Sequence, residues 1–320
     1  MVAILAIILM VLVVEFRDSV EPGYVGLALL NVISFSSFLI WMVKQWTSLE
    51  TSIGAISRLK TFTTTTPNEN LPGEYQPVPD TWPEKGAIEI RNLSASYSPS
   101  GLPVLKGVNI SIKPGEKIGI CGRTGSGKSS IIMTLFHLLE ISPTSSVFID
   151  DVDITKIPRQ VLRGHLNAIP QDPFFLSDNI RFNASPSCLH TDEQIISALQ
   201  KVELWSLIEA RGGLDAELTA EFFSHGQRQL FCLARAVLRK SRIVVLDEVS
   251  SSVDVETDKL MQRVIREEFR EATVVSVAHR LQTIVDFDRV AVMCDGKMAE
   301  IGEPRELLER QSRFRDLWNS

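Results

Sequence analysis

The chain has 320 residues, of which 44% are hydrophobic and 22% charged, and 33 Lys and Arg against 39 Asp and Glu give a formal net charge of −6. This length allows one large domain or two smaller ones, and the acidic balance argues against a sequence-independent nucleic-acid binder, which needs a basic surface. The four cysteines are scattered without a CxxC pair, which excludes a disulfide scaffold and a structural zinc site and indicates a reducing compartment.

The N-terminal region contains two apolar runs. Residues 1–14 carry no polar side chain, and residues 24–43 carry no charge. At the rise of an α-helix the second run spans about 30 Å, enough for the hydrocarbon core of a membrane, whereas the first spans only about 21 Å. We predict membrane helices at about 1–14 and 24–43, the first being the end of a longer span. A signal peptide is the alternative for residues 1–14, but no basic segment precedes that run.

The charges around the second run predict its orientation. Acidic residues predominate before it, while Lys44, Arg58 and Lys60 follow it, so the positive-inside rule places everything after Val43 in the cytoplasm. The helical pattern continues to about residue 60. One arc of this helix carries a polar and aromatic stripe: Asn31, Ser34, Ser37 and Trp41. Such a stripe lines a substrate path or, more commonly, packs against another helix.

A change in composition follows. Residues 63–66 are threonines and five prolines lie between 67 and 83, which predicts an extended linker over 61–86 between a membrane piece at 1–60 and a globular domain at 87–320. In the globular part, apolar runs of strand length alternate with helical ones, as in an α/β domain. The predicted strands are Ile88–Arg91, Val108–Ile112, Lys117–Cys121, Val147–Ile149, Ile243–Leu246, Val274–Ala278 and Val290–Met293.

One glycine-rich segment is suited to phosphate binding. Residues 122–129, GRTGSGKS, complete a GxxxxGK[ST] loop between the predicted strand Lys117–Cys121 and an apolar helical run at Ile131–Leu139. Its glycines allow backbone N–H groups to face phosphates, and the N-terminus of the helix adds partial positive charge. We expect Lys128 to reach the β- and γ-phosphates and the Ser129 hydroxyl to coordinate Mg²⁺.

Further titratable residues follow two predicted strands. Asp247 ends the apolar strand Ile243–Leu246 and is placed to hold the metal, directly or through water, while Glu248 is placed to polarise an attacking water. Acids at a strand end also cap helices, but the phosphate loop in the same chain favours the metal and water roles. His279 follows the strand Val274–Ala278, at the position of a γ-phosphate sensor.

A second helix N-terminus is also suited to a phosphate. Residues 223–227, FSHGQ, precede a helix predicted over Arg228–Leu238, and Ser224 occupies the N-cap position. One ATP needs only one such helix end for its phosphates. The second is therefore predicted to serve another nucleotide, bound to a partner.

In this order, the segments from Gly86 to the end of the chain resemble the ATP-binding cassette (ABC) transporter family. The matching segments are 122–129 (Walker A), Gln171 (Q-loop), 223–227 (signature), Asp247-Glu248 (Walker B and catalytic Glu), 251–254 (D-loop) and His279 (switch histidine). The details look most like the second nucleotide-binding domain of subfamily C, the multidrug-resistance-associated exporters, and residues 223–231 look most like fungal members.

The resemblance implies an α/β fold with a P-loop NTPase core, an antiparallel β-subdomain near 87–113 and a helical subdomain at about 172–240, preceded by one to two transmembrane helices. It implies ATP and Mg²⁺ as ligands. It also implies a head-to-tail dimer, in which each ATP lies between one Walker A loop and the signature of a second nucleotide-binding domain.

The resemblance also implies the roles of individual residues. The catalytic residues it implies are Lys128, Gln171, Glu248 and His279. The implied nucleotide-binding residues are Tyr97, which would stack on adenine, and Gly122, Thr124, Gly125, Ser126, Gly127, Lys128, Ser129 and Ser130. The implied metal ligands are Ser129, Gln171 and Asp247, and those implied for the partner's nucleotide are Ser224, Gly226 and Gln227.

Two departures from the family pattern stand out. Phe223 and His225 replace the Leu and first Gly of the most frequent signature, LSGGQ, and the His225 side chain is expected to crowd a γ-phosphate. A full exporter also has many more membrane helices and two ATPase domains, so the chain resembles the C-terminal fifth to quarter of one.

The expected function is the ATP-hydrolysing domain of an ABC exporter, which couples hydrolysis to transport of an unknown solute. Its partners would be the remaining transmembrane helices and a lipid membrane, plasma or vacuolar, with the ATPase domain in the cytoplasm and no nucleic acid. The alternative is a truncated fragment that binds ATP and pairs with another cassette protein without transporting. A soluble ABC ATPase is disfavoured by the apolar N-terminus.

Overall fold

The computed structural model describes residues 2–16, 21–66, 68–69, 72–219, 221–249 and 253–319. The chain divides into two compact units, Met1–Glu69 and Asn70–Ser320. The division falls inside the segment for which a linker is predicted. Residues 250–252, which include the start of the predicted D-loop, lie outside the described residues.

The N-terminal unit contains helices α1 (Val2–Glu15) and α2 (Pro22–Thr65). Within the described residues, α2 is the single helix that is long and apolar enough to cross a membrane, judged by length and composition. Large apolar side chains remain exposed along this helix, including Leu27, Phe38 and Trp46. An unbroken row of exposed apolar side chains is typical of a helix that faces lipid or other helices.

The prediction that the linker begins at residue 61 is wrong, because α2 continues to Thr65. The Thr64 hydroxyl donates to the carbonyl of Lys60 at 2.8 Å, and the Thr65 hydroxyl donates to that of Thr61 at 2.7 Å. Within a helix a threonine hydroxyl can bond the carbonyl four residues earlier, so these threonines are accommodated in the last turns of α2. The low helix propensity of threonine therefore did not end the helix here.

The C-terminal unit is built on two sheets. The antiparallel sheet has the order β2-β1-β5-β6, with β4 also pairing β1; its strands are β1 (Ile88–Ser96), β2 (Leu105–Ile112), β4 (Glu140–Ile141), β5 (Ser146–Ile149) and β6 (Val152–Asp153). The second sheet has the order β11-β10-β3-β9-β8-β7; its strands are β3 (Lys117–Gly122), β7 (Asn167–Ile169), β8 (Ile243–Asp247), β9 (Thr273–Val277), β10 (Arg289–Cys294) and β11 (Lys297–Gly302). Its neighbours pair in parallel, except that β11 runs antiparallel to β10.

Helices pack on these sheets and between strands. They are α3 (Lys128–Leu135), α4 (Arg159–His165), α5 (Ile180–Ala184), α6 (Asp192–Lys201), α7 (Trp205–Ala210), α8 (His225–Arg239), α9 (Val255–Glu268), α10 (Pro304–Glu309) and α11 (Arg313–Trp318). Strand β8 is buried on both faces: Val244 and Leu246 pack into the core that contains α8, and Ile243 and Val245 into the core behind α3. Burial on both faces is the reason that this strand is continuously apolar.

The predicted α/β fold, with an antiparallel β part and a helical part at α5–α8, is confirmed. All seven predicted strands are present. Short or partly exposed strands were missed, namely β4, β6, β7 and β11. The helix predicted over Ile131–Leu139 instead ends at Leu135. It ends there because His137 has a left-handed backbone, φ 51°, and Arg163 donates to the carbonyls of Phe136 and His137 in place of the next helical N–H groups.

Candidate nucleotide-binding site

The glycine-rich loop joins the end of β3 to the start of α3. Gly122 has a φ of 149°, and a Cβ there would lie 2.4 Å from the carbonyl oxygen of Met293. Gly125 has a φ of 79°, and a Cβ there would meet no heavy atom within 4 Å. Packing thus requires glycine at the first position, while the second lies against open space. A loop with this open side has room for a phosphate.

Lys128 and Ser126 bring polar groups into this loop. The Lys128 side chain is 6% exposed, and its Nζ donates to the carbonyls of Gly122 at 3.1 Å and Arg123 at 3.3 Å. The Ser126 Oγ is buried and has no hydrogen-bond partner among the described residues. A buried ammonium group and an unpartnered hydroxyl on one loop fit an anionic, oxygen-rich ligand such as a phosphate chain.

Strand β8 brings a carboxylate to the same loop. The Ser129 hydroxyl donates to Asp247 Oδ1 at 3.3 Å, although the two residues are 118 positions apart in the sequence. The pKa of Asp247 is raised above its usual value, mainly by burial and also by the charge of Glu248. The hydrogen bond from Ser129 opposes this rise. One hydroxyl and one carboxylate suit Mg²⁺, which takes few protein ligands when phosphates supply others. No cluster of three or more His, Cys, Asp or Glu that could hold a metal occurs among the described residues.

The strand order brings the other predicted residues to the same sheet edge. Val277, the last residue of β9, pairs with Asp247 on one side and with Ile120 of β3 on the other. The end of β9, which precedes His279, is therefore adjacent to the strand that leads into the loop, and the end of β8, which precedes Glu248, lies one strand farther away. Glu248 has a left-handed backbone, φ 47°, and its N–H donates to the carbonyl of Val277 at 3.0 Å. Such backbone strain in a non-glycine residue is concentrated at functional sites.

Gln171 and Tyr97 approach the site from other elements. Gln171 lies two residues after β7, which pairs with β8, and its main-chain oxygen accepts a hydrogen bond from Gln229 Nε2. Tyr97 follows β1 and is 64% exposed, with its hydroxyl 3.5 Å from the Oγ of Ser130 in the first turn of α3. Thr124 is exposed in the loop itself. An exposed aromatic ring beside the loop is available for stacking on a base.

The predicted N-cap at Ser224 is confirmed. Ser224 Oγ accepts from the N–H of Gln227 at 3.3 Å, and Gln227 Oε1 accepts from the N–H of Ser224 at 3.0 Å, which forms a capping box. His225, the first residue of α8, is exposed, whereas Phe223 is buried beside Phe231. The two departures from the family signature therefore lie in different environments.

Gly226 places the signature next to the start of α9. A Cβ at Gly226 would lie 3.3 Å from Cγ2 of Thr257, whose own N–H donates to Asp254 at 3.0 Å. Asp254 is the last residue of the predicted D-loop and caps α9. Gln229, which belongs to none of the predicted motifs, contacts Gln171 in the structure. A polar residue on the buried face of a predicted helix is the signal that could have identified it.

The sequence of the chain is similar to those of known proteins. The family described as ABC transporter matches residues 105–251. The chain is 50% identical, over 98% of its length, to ABC multidrug transporter B of Aspergillus fumigatus, of which it covers 21%. It is 42% identical, over 93% of its length, to ATP-binding cassette sub-family C member 8 of Rattus norvegicus, of which it covers 19%. The chain thus spans about a fifth of these relatives.

A solved structure has the same fold. It is the structure of a bacterial Atm1-family ABC exporter with ATP bound, which matches with a TM-score of 0.81 at 22% identity, over 93% of this chain and 53% of that one. At this identity the likeness shows the fold alone.

Proposed function

The chain belongs to the ABC transporter family, and on that premise we propose that its globular unit binds ATP with Mg²⁺ and hydrolyses it to drive export of a solute. The observation that carries the proposal is the hydrogen bond between Ser129 and Asp247, which joins the glycine-rich loop to the acidic end of β8. This bond brings a hydroxyl and a carboxylate together where a phosphate-bound Mg²⁺ needs them.

In this proposal the loop holds the phosphate chain. The backbone N–H groups around Gly125 and the buried Ser126 hydroxyl would donate to phosphate oxygens, and Lys128 would turn from the loop carbonyls to the β- and γ-phosphates. Thr124 and Ser130 border the same loop. The Tyr97 ring would stack on the adenine.

The metal ligands proposed from this chain are Ser129, Gln171 and Asp247. Bound Mg²⁺ would neutralise phosphate charge during phosphoryl transfer. Glu248 would accept the proton of the attacking water, and its position directly after β8 and its strained left-handed backbone support this role. His279, at the end of the neighbouring strand, would donate to the γ-phosphate.

Ser224, Gly226 and Gln227 are proposed to face the nucleotide of a second nucleotide-binding domain. ABC exporters pair such domains with transmembrane domains, and α2 is proposed to belong to a multi-pass membrane region with the globular unit in the cytoplasm. Curated relatives such as ABC multidrug transporter B are transporters by name, which does not favour the alternative of a fragment that binds ATP without transporting.

The proposed metal site at Ser129 and Asp247 is tested by measuring the ATP affinity of the full chain in the presence of Mg²⁺ and in the presence of EDTA. We expect Ser129→Ala and Asp247→Asn to lose most of the Mg²⁺-dependent gain in affinity, while affinity in EDTA changes by no more than about twofold. Ser142→Ala, which removes a hydroxyl that pairs only locally with Thr144, is the matched control. Wild-type chain that binds ATP equally with Mg²⁺ and EDTA would contradict the proposed metal site.

A further inference from the structure

Helix α8 holds the chain segment that contains Gln171. Gln229, in the second turn of α8, is 1% exposed, and its Nε2 donates to the main-chain oxygen of Gln171. The two residues are 58 positions apart in the sequence. Because the contact uses only the main chain of Gln171, it leaves the exposed Gln171 side chain available for a ligand.

A second side chain of α8 holds the same segment farther along. Arg235 Nη1 donates to the carbonyl of Phe174 at 3.0 Å, and its guanidinium lies 4.9 Å from the ring centre of Phe175. Asn183 continues the network, because its Oδ1 accepts from the N–H of Leu176 at 2.9 Å and from Arg235 Nη2 at 3.2 Å. Residues 171–176 are thus attached to α8 at two points, and Gln229 is the point nearest Gln171.

The unpaired oxygen of Gln229 indicates what this residue contributes. Its Oε1 is buried without a hydrogen-bond partner among the described residues. Burying an unpaired polar atom is unfavourable, and a leucine or methionine would fill the same space without that cost. The feature that only the amide supplies is the N–H group that bonds to Gln171.

The position of Gln229 along α8 gives this bond a consequence. The helix begins at the capping box of Ser224 and Gln227, and Gln229 follows in the next turn. This inference rests on the proposed function, in which Gln171 is a ligand of the Mg²⁺ bound to this chain and Ser224 faces the nucleotide of the partner. One helix turn therefore separates Ser224, which faces the partner's nucleotide, from Gln229, which holds the main chain of Gln171.

We propose that Gln229 is a positioning residue that ties Gln171 to the signature helix, so that the approach of Gln171 to Mg²⁺ follows the position of α8. A displacement of α8 when the signature engages a partner's nucleotide then reaches Gln171 through the hydrogen bond nearest to it, that of Gln229. Loss of the bond leaves the phosphate loop intact and releases Gln171.

The test uses the full chain and two variants that lack the donor. Gln229→Glu keeps the shape of the side chain, and Gln229→Leu removes both polar atoms. Gln200→Leu, on the exposed side of α6, is the matched control. Hydrogen exchange at the bonded amide of Leu176, measured without nucleotide, reports on how firmly 171–176 is held. ATP affinity in EDTA reports on the phosphate loop, and Mg²⁺ titration of ATP binding reports on Gln171.

We expect both Gln229 variants to exchange the amide hydrogen of Leu176, which is bonded to Asn183 Oδ1, about tenfold faster than wild type. We also expect them to need about tenfold more Mg²⁺ for its effect on ATP affinity, the usual cost of losing a group that orients a metal ligand. Affinity in EDTA should stay within about twofold of wild type, and the control should match wild type throughout.

Three outcomes would overturn the inference. The variants could match wild type in exchange and Mg²⁺ requirement. They could also lose ATP affinity equally in EDTA and Mg²⁺, or lose thermal stability with exchange raised throughout the unit, and either result would make Gln229 a packing residue. A wild-type chain that fails to bind ATP would instead overturn the proposed function, so the two failures are distinguishable.

Discussion

At the scale of single residues, Lys128 carries a positive charge that is almost entirely buried in the loop it serves. We predict that Lys128→Ala removes most ATP affinity, because it deletes the ammonium group expected to face the β- and γ-phosphates. Equilibrium binding of ATP to the full chain checks this. Lys106→Ala, which removes an exposed lysine of β2, should leave the affinity unchanged. Unchanged affinity in Lys128→Ala would contradict the loop assignment.

Glu248 differs from Lys128 in the step that it is expected to serve. We predict that Glu248→Gln leaves ATP binding intact and slows phosphate release by a factor of at least about 100, since an amide keeps the shape but cannot accept a proton from water. Phosphate release at saturating ATP is the measurement. Glu256→Gln, an exposed acid in the first turn of α9, is the control. Release within about twofold of wild type would mean that another group activates the water.

At the scale of elements, a buried ion pair joins the segment before β1 to the start of α4. The side chains of Glu74 and Arg159 are 4% and 8% exposed, and Arg159 Nη2 lies 3.0 Å from Glu74 Oε1. We predict that Glu74→Gln lowers the free energy of unfolding by about 3–5 kcal/mol, because it leaves the guanidinium buried without a counter-charge. Denaturant unfolding of the full chain measures this loss.

Glu84→Gln provides the comparison for this prediction, because Glu84 lies in the same N-terminal segment but is exposed. Its loss should stay within about 0.5 kcal/mol. Equal losses in the two variants would show that the buried pair between Glu74 and Arg159 contributes nothing particular.

His137, which lies beside the buried pair of Glu74 and Arg159, makes the stability of the globular unit sensitive to pH. Burial lowers the pKa of His137 from 6.5, the nearby charge of Arg159 lowers it further, and Glu74 opposes them. The unfolded chain therefore takes up the proton first, so the stability of the globular unit falls as the pH drops below about 6.5. We predict that this loss of stability is smaller in His137→Asn, because asparagine does not titrate. Asparagine also tolerates the backbone φ of 51° at this position. Unfolding free energies at pH 7.5 and 5.5 supply the measurement, and equal pH dependence in both proteins would refute the prediction.

At the scale of the whole molecule, the signature determines how well two copies of the unit could close on ATP. Of the two residues that depart from the family signature, His225 is exposed at the helix end, whereas Phe223 belongs to an aromatic cluster with Phe175 and Phe231. The structure therefore separates two departures from the family pattern that the sequence presents as one. Phe223 contributes to the core of the helical part, and His225 alone remains to crowd a partner's γ-phosphate.

We predict that His225→Gly raises phosphate release by the full chain about three- to tenfold, because it removes the side chain at the helix end that would approach the partner's nucleotide. Phe223→Leu should instead lower the free energy of unfolding by about 1 kcal/mol or more without faster release, since it shrinks a buried ring. If Phe223→Leu accelerates release and His225→Gly does not, the assignment of the crowding group is wrong.

The sequence by itself determined those features that depend on residues close together in the chain. The phosphate loop is one contiguous segment, the strands β3, β8 and β9 are short runs rich in apolar residues, and the N-cap of α8 follows from Ser224. Where a local signal was overruled, as at the end of α3, the reason was a contact from a distant residue, Arg163.

Only the tertiary structure decided which of these segments meet. Ser129 reaches Asp247 across 118 positions, Arg159 reaches Glu74 across 85, and Gln229 reaches Gln171 across 58. None of these pairs leaves a periodic or local trace in the sequence, because each depends on the order of strands in a sheet or on the packing of a helix against a loop. Hydrogen bonds and ion pairs form between groups that are close in space, and for residues this far apart in the chain only the fold brings the groups together.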